Sequence, residues 1–198
     1  MKTLLITAML TFAASMANAQ DSTSTSTTTT QAPPEWMKYT QPGEAHKKTL
    51  ENVVGSFTYT IKMWMDPKAK PEQETGTSEN KWILGGRFVQ QEVKGRAMGQ
   101  DFEGIGMTGY DNFTGEFQST WVDNMSTAIM LTKGANSPTT KTIKEEGTAS
   151  NPYKNEKNHW FRTELKIKDK NEHTYTMYSK DAGGKEYKSM EMVYKRKK

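Results

Sequence analysis

From Phe57 onward the chain alternates. Phe57, Tyr59, Ile61 and Met63 are large and apolar, while Thr58, Thr60 and Lys62 between them are polar. A period of two is that of a strand with one face on a core and the other in water. The same texture returns in short runs at 75–84, 87–93, 102–110, 117–123, 127–131, 139–146, 160–168, 174–179 and 188–196. The residues between them are turn formers: Gly85-Gly86, Lys94-Gly95, Asp111-Asn112, Lys133-Gly134-Ala135-Asn136 and Asp181-Ala182-Gly183-Gly184 supply the positive φ angles and side-chain acceptors that hairpins need. About ten short antiparallel strands with no helices between them must stack as a sandwich or close on themselves. The regular meander predicts closure: an all-β, antiparallel up-and-down barrel.

Ahead of the strands the pattern changes. Residues 42–52 suit a short helix, with Pro42 near its start, Glu44, Ala45, Lys47 and Lys48 as good formers, Leu50 on the buried side and Gly55 just beyond its end. Such a helix would act as a lid or plug near one mouth. Residues 21–30 are almost all Ser and Thr, and Gln31-Ala32-Pro33-Pro34 follows, so 20–41 is expected to be an unstructured spacer. Lys2, the apolar run 4–14 and Ala17-Asn18-Ala19 together have the form of a cleaved secretory signal, which predicts a mature chain from Gln20 in the periplasm or outside the cell. The predicted domain is then 42–198.

Composition narrows the chemistry. The chain has 198 residues and no cysteine, so an exported fold must stand without disulfides, and thiolate metal sites and cysteine nucleophiles are excluded. The formal charge is +4, and +3 without the leader, too small and dispersed for a nucleic-acid surface. Lys195-Arg196-Lys197-Lys198 is read as a solvated chain end, and stable membrane attachment is not expected. Gly104-Ile105-Gly106-Met107-Thr108-Gly109 fits a phosphate-loop string, but a strand rather than a helix follows it, so its glycines are better read as a place where a strand packs closely on something. His46, His159 and His173 have no metal-ligand spacing. His159 or His173 could serve singly as an axial haem ligand, against a default of exposed loop histidines. No metal or other cofactor is predicted. Glu145 and Glu146 are read as residues of a wet strand face, and Arg162 as a cross-strand partner there.

Several separated segments, Trp82-Ile83-Leu84-Gly85-Gly86-Arg87-Phe88, Phe102-Glu103-Gly104, Gly109-Tyr110-Asp111-Asn112, Trp121-Val122-Asp123 and Glu191 with Tyr194 and Arg196, resemble the bacterial family called domain of unknown function 1579. The resemblance implies a calycin-like, lipocalin-type barrel and carries no reaction with it. It also implies that Gly55 and Phe57 on the first strand, with Arg196 on the last, form the structural closure in which an arginine stacks on an aromatic ring.

Two functions follow from different classes. In the first, the barrel is a non-enzymatic container for a small apolar or amphipathic molecule, with Trp82, Tyr110, Trp121 and Tyr194 on its walls and Arg87 and Asp123 orienting its polar end. In the second, the interior is filled and the outer surface works as an envelope scaffold. An enzyme would require Glu103, Tyr110 and Asp123 to converge.

Overall fold

The computed structural model describes residues 34–198; the expected signal and spacer residues 1–33 lie outside the described residues. Ten strands follow one another: β1 (Gly55–Met63), β2 (Glu72–Ile83), β3 (Phe88–Ala97), β4 (Gln100–Asp111), β5 (Glu116–Asp123), β6 (Met130–Ala135), β7 (Thr142–Asn151), β8 (Glu156–Asp169), β9 (Glu172–Lys180) and β10 (Glu186–Arg196). Each pairs antiparallel with its chain neighbours, and β1 pairs with β10 from Phe57↔Arg196 to Met63↔Met190, so the sheet closes into an up-and-down barrel without a free edge.

Strand parity decides what fills the barrel. Phe57, Tyr59, Ile61 and Met63 face inward, and register carries that face around the wall to Ser78, Val93, Gly104, Asp123, Thr163, Met177 and Met192. Two predicted turns lie inside strands. Gly95 continues β3 because the Tyr59 hydroxyl sits 2.4 Å from where its Cβ would be, and Gly134 continues β6 because the Lys144 carbonyl comes even closer to its own. Both glycines mark close approach rather than reversal. The actual β3–β4 turn is Met98-Gly99, both at positive φ as a two-residue hairpin of the primed type requires. β6 also begins later than its pattern suggests, since Asp123 accepts from the Met125 N–H and Ser126 Oγ from the Ala128 N–H, holding that stretch as a loop.

The predicted helix is a bent plug, a π turn at Ala45–Thr49 running into a 3-10 turn at Leu50–Val53. Tertiary bonds dictate this shape. The Thr49 hydroxyl lies 2.8 and 3.0 Å from the Pro138 and Thr140 carbonyls, Asn80 Nδ2 donates to the Val53 carbonyl (2.7 Å), and Leu50 is driven into the core against Val89, Phe117 and Ile143. Part of the expected spacer is also ordered on the barrel: Glu35–Tyr39 forms a 3-10 turn, Arg87 Nε donates to the Thr40 carbonyl (2.8 Å), and Asn112 Nδ2 donates to the Gln41 carbonyl (2.8 Å). Among the described residues no helix is long and apolar enough to cross a membrane.

Candidate functional site

The two ends of the barrel differ. The end where β1 starts and β10 stops is closed by the plug, with Ala45, Leu50, Val89, Phe117 and Ile143 buried and Val54, Trp82, Tyr110 and Leu165 packed on them. Arg196 seals the corner. Its Nη1 and Nη2 donate to the Val54 and Asn52 carbonyls (2.8 and 3.3 Å), Nε donates to the Lys170 carbonyl, and the guanidinium lies 4.5 Å from the Phe57 ring centre. Gly55 is needed beneath it, with φ at +124° and Arg196 Nη1 occupying the place of a Cβ. The cationic chain end is therefore only partly solvated: Arg196 is a clamp, and Lys197 pairs with Glu79 at 3.0 Å.

The opposite end is a mouth rimmed by turns. Ile61, Met63, Phe102, Trp121, Met130, Met177 and Met190 face inward there, yet each is only half-buried. The Trp121 indole lies flat on the β4 backbone, where a Cβ on Gly104 would be 2.2 Å from its ring, and Phe102 stacks beside it with centroids 6.3 Å apart. This is what the glycine string is for. Trp121 Nε1 donates to Asp123 Oδ2 (2.8 Å), which fixes the ring at the rim.

Below this apolar wall lies a polar group. Glu145, on β7, is 6 % exposed, and Ser119 Oγ is 3.1 and 3.0 Å from its two carboxyl oxygens. Thr108 Oγ1 extends the group from Ser119 at 2.9 Å, and Thr132 also bonds the carboxyl. Burial with neutral partners alone pushes the Glu145 carboxyl up to about 7, the loss of solvation outweighing the hydroxyl bonds that oppose it. Tyr175 stands near it, with Tyr194 beyond Tyr175, and both hydroxyls are held neutral by burial. A second polar chain runs from the plug: the Ser78 hydroxyl donates to Asn80 Oδ1 (2.6 Å), and Gln91 Nε2 donates to Ser78 Oγ (3.0 Å).

The structure divides the six residues predicted to meet a ligand. Trp121 and Asp123 are at the mouth, and Tyr194 is buried in mid-barrel. Trp82 is at the plugged end, donating to the Glu51 carboxylate (2.9 Å), and Tyr110 packs edge-on against Phe117 there. Arg87 is outside the barrel's core, holding the N-terminal strap. Glu103 faces outward to Lys94, so Glu103, Tyr110 and Asp123 do not converge. Glu145 is the residue that the pattern of the sequence misplaces. Ile143, Glu145 and Gly147 share parity, and the strand runs on to Asn151, so Glu145 points inward and only Glu146 is wet. The expectation of loop histidines is also corrected: His46 lies in the plug, bonded to the Arg87 carbonyl (3.2 Å), and His173 is 2 % exposed inside β9. His173 stacks on Tyr194 (4.5 Å) and meets the edge of Phe57 (4.7 Å), its Nδ1 has no partner, and burial pushes it down to about 4. Among the described residues no cluster of three potential ligands suits a metal ion.

Arg162 lies on the outer face, bonded to Glu164 and Glu186 at 2.8 Å each and stacked on Tyr178. Two open grooves of about 580 and 450 Å³ run along the wall, one over β10, β1 and β2 and one over β6 to β8, lined mostly by outward-facing Thr, Lys and Glu.

A ten-stranded barrel closed by its terminal strands and plugged at one end is of the calycin-like class. The chain belongs to the family described as Protein of unknown function (DUF1579), whose model matches residues 41–196. Among solved structures it is similar to that of Rv2717c from M. tuberculosis, at 15 % identity and a TM-score of 0.58 over 80 % of this chain and 100 % of the other, a likeness of fold. A redesigned β-barrel, b11L5F_LGL, superposes at 0.39 with 8 % identity, covering 76 % of this chain and 96 % of that one. No curated protein matches it in sequence.

Proposed function

We propose that the barrel is a non-enzymatic container that takes one small amphipathic molecule through the end opposite the plug. The observation that carries this reading is the layering of the interior: half-buried Met and aromatic side chains face inward above a buried carboxyl and its hydroxyls. Unbranched Met side chains adapt to an apolar body, and a few fixed polar groups at depth orient a polar end. Arg87 has no part in this, and Asp123 serves by holding Trp121. Residues 1–19 support a place of work outside the cytoplasm.

Protein recovered from the envelope of its own host should begin at Gln20 and show, by native mass spectrometry, a mass above that of the chain. Single-chain amphiphiles below their micellar concentrations should quench Trp121. Met177→Trp and Met190→Trp, which fill the mouth, should weaken binding by at least about tenfold, and Leu84→Ala at the plugged end should leave it unchanged. A bare apo mass together with no response to any amphiphile would sink the reading.

A further inference from the structure

We infer that the polar end of the bound molecule is a cation, so that the barrel selects an ammonium-headed amphiphile over a carboxylate or an alcohol of the same length. This rests on the container reading above and names its ligand class.

Charge is unevenly divided between the two faces of the wall. The chain carries 27 Lys and Arg against 23 Asp and Glu, an excess of positive charge. Its inward face reverses that balance. Strand register puts Glu74 opposite Ile61, Asp123 opposite Gly104 and Glu145 opposite Thr163, all on the inner face. Arg196, an inward cation, stands at the far end, with its Nε, Nη1 and Nη2 all bonded to plug and turn carbonyls and its plane on Phe57. It cannot reach the mouth. Lys188 and Lys94, near the rim, are turned outward and engaged with Glu191 and Glu103.

Glu145 is the decisive group. It is nine-tenths buried, it points into the barrel, and its partners are the neutral hydroxyls of Ser119 and Thr132, with no cation beside it among the described residues. The groups facing it from the neighbouring strands are Ser119 on β5, Thr132 on β6, Thr163 on β8 and Tyr175 on β9, of which only Tyr175 titrates, and burial keeps that hydroxyl neutral. A buried carboxylate without a counter-charge is costly, and a ligand that supplies the charge recovers that cost. Above it, the stacked rings of Trp121 and Phe102 offer faces that attract a cation, Trp most strongly. An anionic head would meet Glu74, Asp123 and Glu145, with Arg196 out of reach at the far end.

The test compares decyltrimethylammonium, decanoate and decanol on the full mature chain by Trp fluorescence and calorimetry, each below its micellar concentration. The quaternary head keeps its charge at every pH, so any pH dependence belongs to the protein. Its affinity should exceed those of the other two by at least about tenfold at about pH 8 and fall by roughly tenfold per unit as pH drops below 7, because binding then requires Glu145 to lose its proton. Glu145→Gln should shrink the preference to about twofold and abolish the pH slope. Glu74→Gln, nearer the rim, should reduce the preference by a smaller factor and keep the slope. Equal affinities, or a preference for decanoate, would overturn the cation and leave the container standing; binding of none of the three would overturn both.

Discussion

Two buried ionisable side chains with opposite demands set the acid response of this fold. His173 is pushed down from 6.5 to about 4, so the unfolded chain binds a proton that the folded chain refuses, and its contribution to stability is full above 6.5 and lost as pH falls toward 4. Glu145 is pushed up from 4.5 to about 7, so the folded chain holds a proton the unfolded chain has released, and its contribution is full below 4.5 and lost as pH rises through 7. Each amounts to about 3 kcal/mol, and between roughly 4.5 and 6.5 the two slopes cancel. Urea denaturation at stepped pH should show this by difference. Relative to wild type, Glu145→Gln should gain about 3 kcal/mol as pH rises across its window, and His173→Phe should gain a similar amount as pH falls across its own. Parallel profiles for all three proteins would mean that burial shifts neither group.

At the scale of the strand, glycine serves mainly to let a large ring lie on backbone. Trp121 covers Gly104 and Gly106, and Tyr59 covers Gly76 and Gly95. Gly104→Ala should therefore cost about 1–3 kcal/mol through overpacking. Trp121→Phe removes the outer ring atoms that a Cβ would strike, so in that background the same substitution should cost less than half as much, a coupling readable from a double-mutant cycle in urea. Additive costs would refute the seating. These contacts also explain what could be read in advance. Alternation in Phe57–Met63 or Phe117–Asp123 is a one-dimensional signal, and it placed each strand and its inner face correctly. Gly95 and Gly134 misled because a glycine under a ring or a carbonyl and a glycine in a turn look alike until the neighbouring strand is known. Glu145 misled because two adjacent glutamates fit either parity, and the weakly patterned Gly147-Thr148-Ala149-Ser150 hid the continuation of β7 that fixes its face. The split of the six candidate residues between two ends was illegible, since alternation gives a face and no height along the axis.

For the molecule as a whole, closure depends on the end of β10. β1 and β10 are the most distant strands in sequence, and their ladder ends at Phe57↔Arg196, where Arg196 also ties the plug through Asn52 and Val54. Removing that side chain leaves three carbonyls without their donor, one of them the Lys170 turn, and exposes the Phe57 ring. Arg196→Met keeps the apolar stem and deletes only the donors and the charge, so it isolates this tie. With each lost bond to a charged donor worth about 1.5–3 kcal/mol before relaxation and water entry, a net loss of about 2–4 kcal/mol is expected, a fall in Tm of roughly 5–15 °C by scanning calorimetry. Its effect on ligand affinity should be within about twofold, since the clamp and the mouth lie at opposite ends and share no partner. If Arg196→Met instead abolished binding at a temperature where the barrel is folded, entry would have to be through the plugged end, and the ligand contacts assigned to Trp121, Met177 and Met190 would pass to the residues around Leu50.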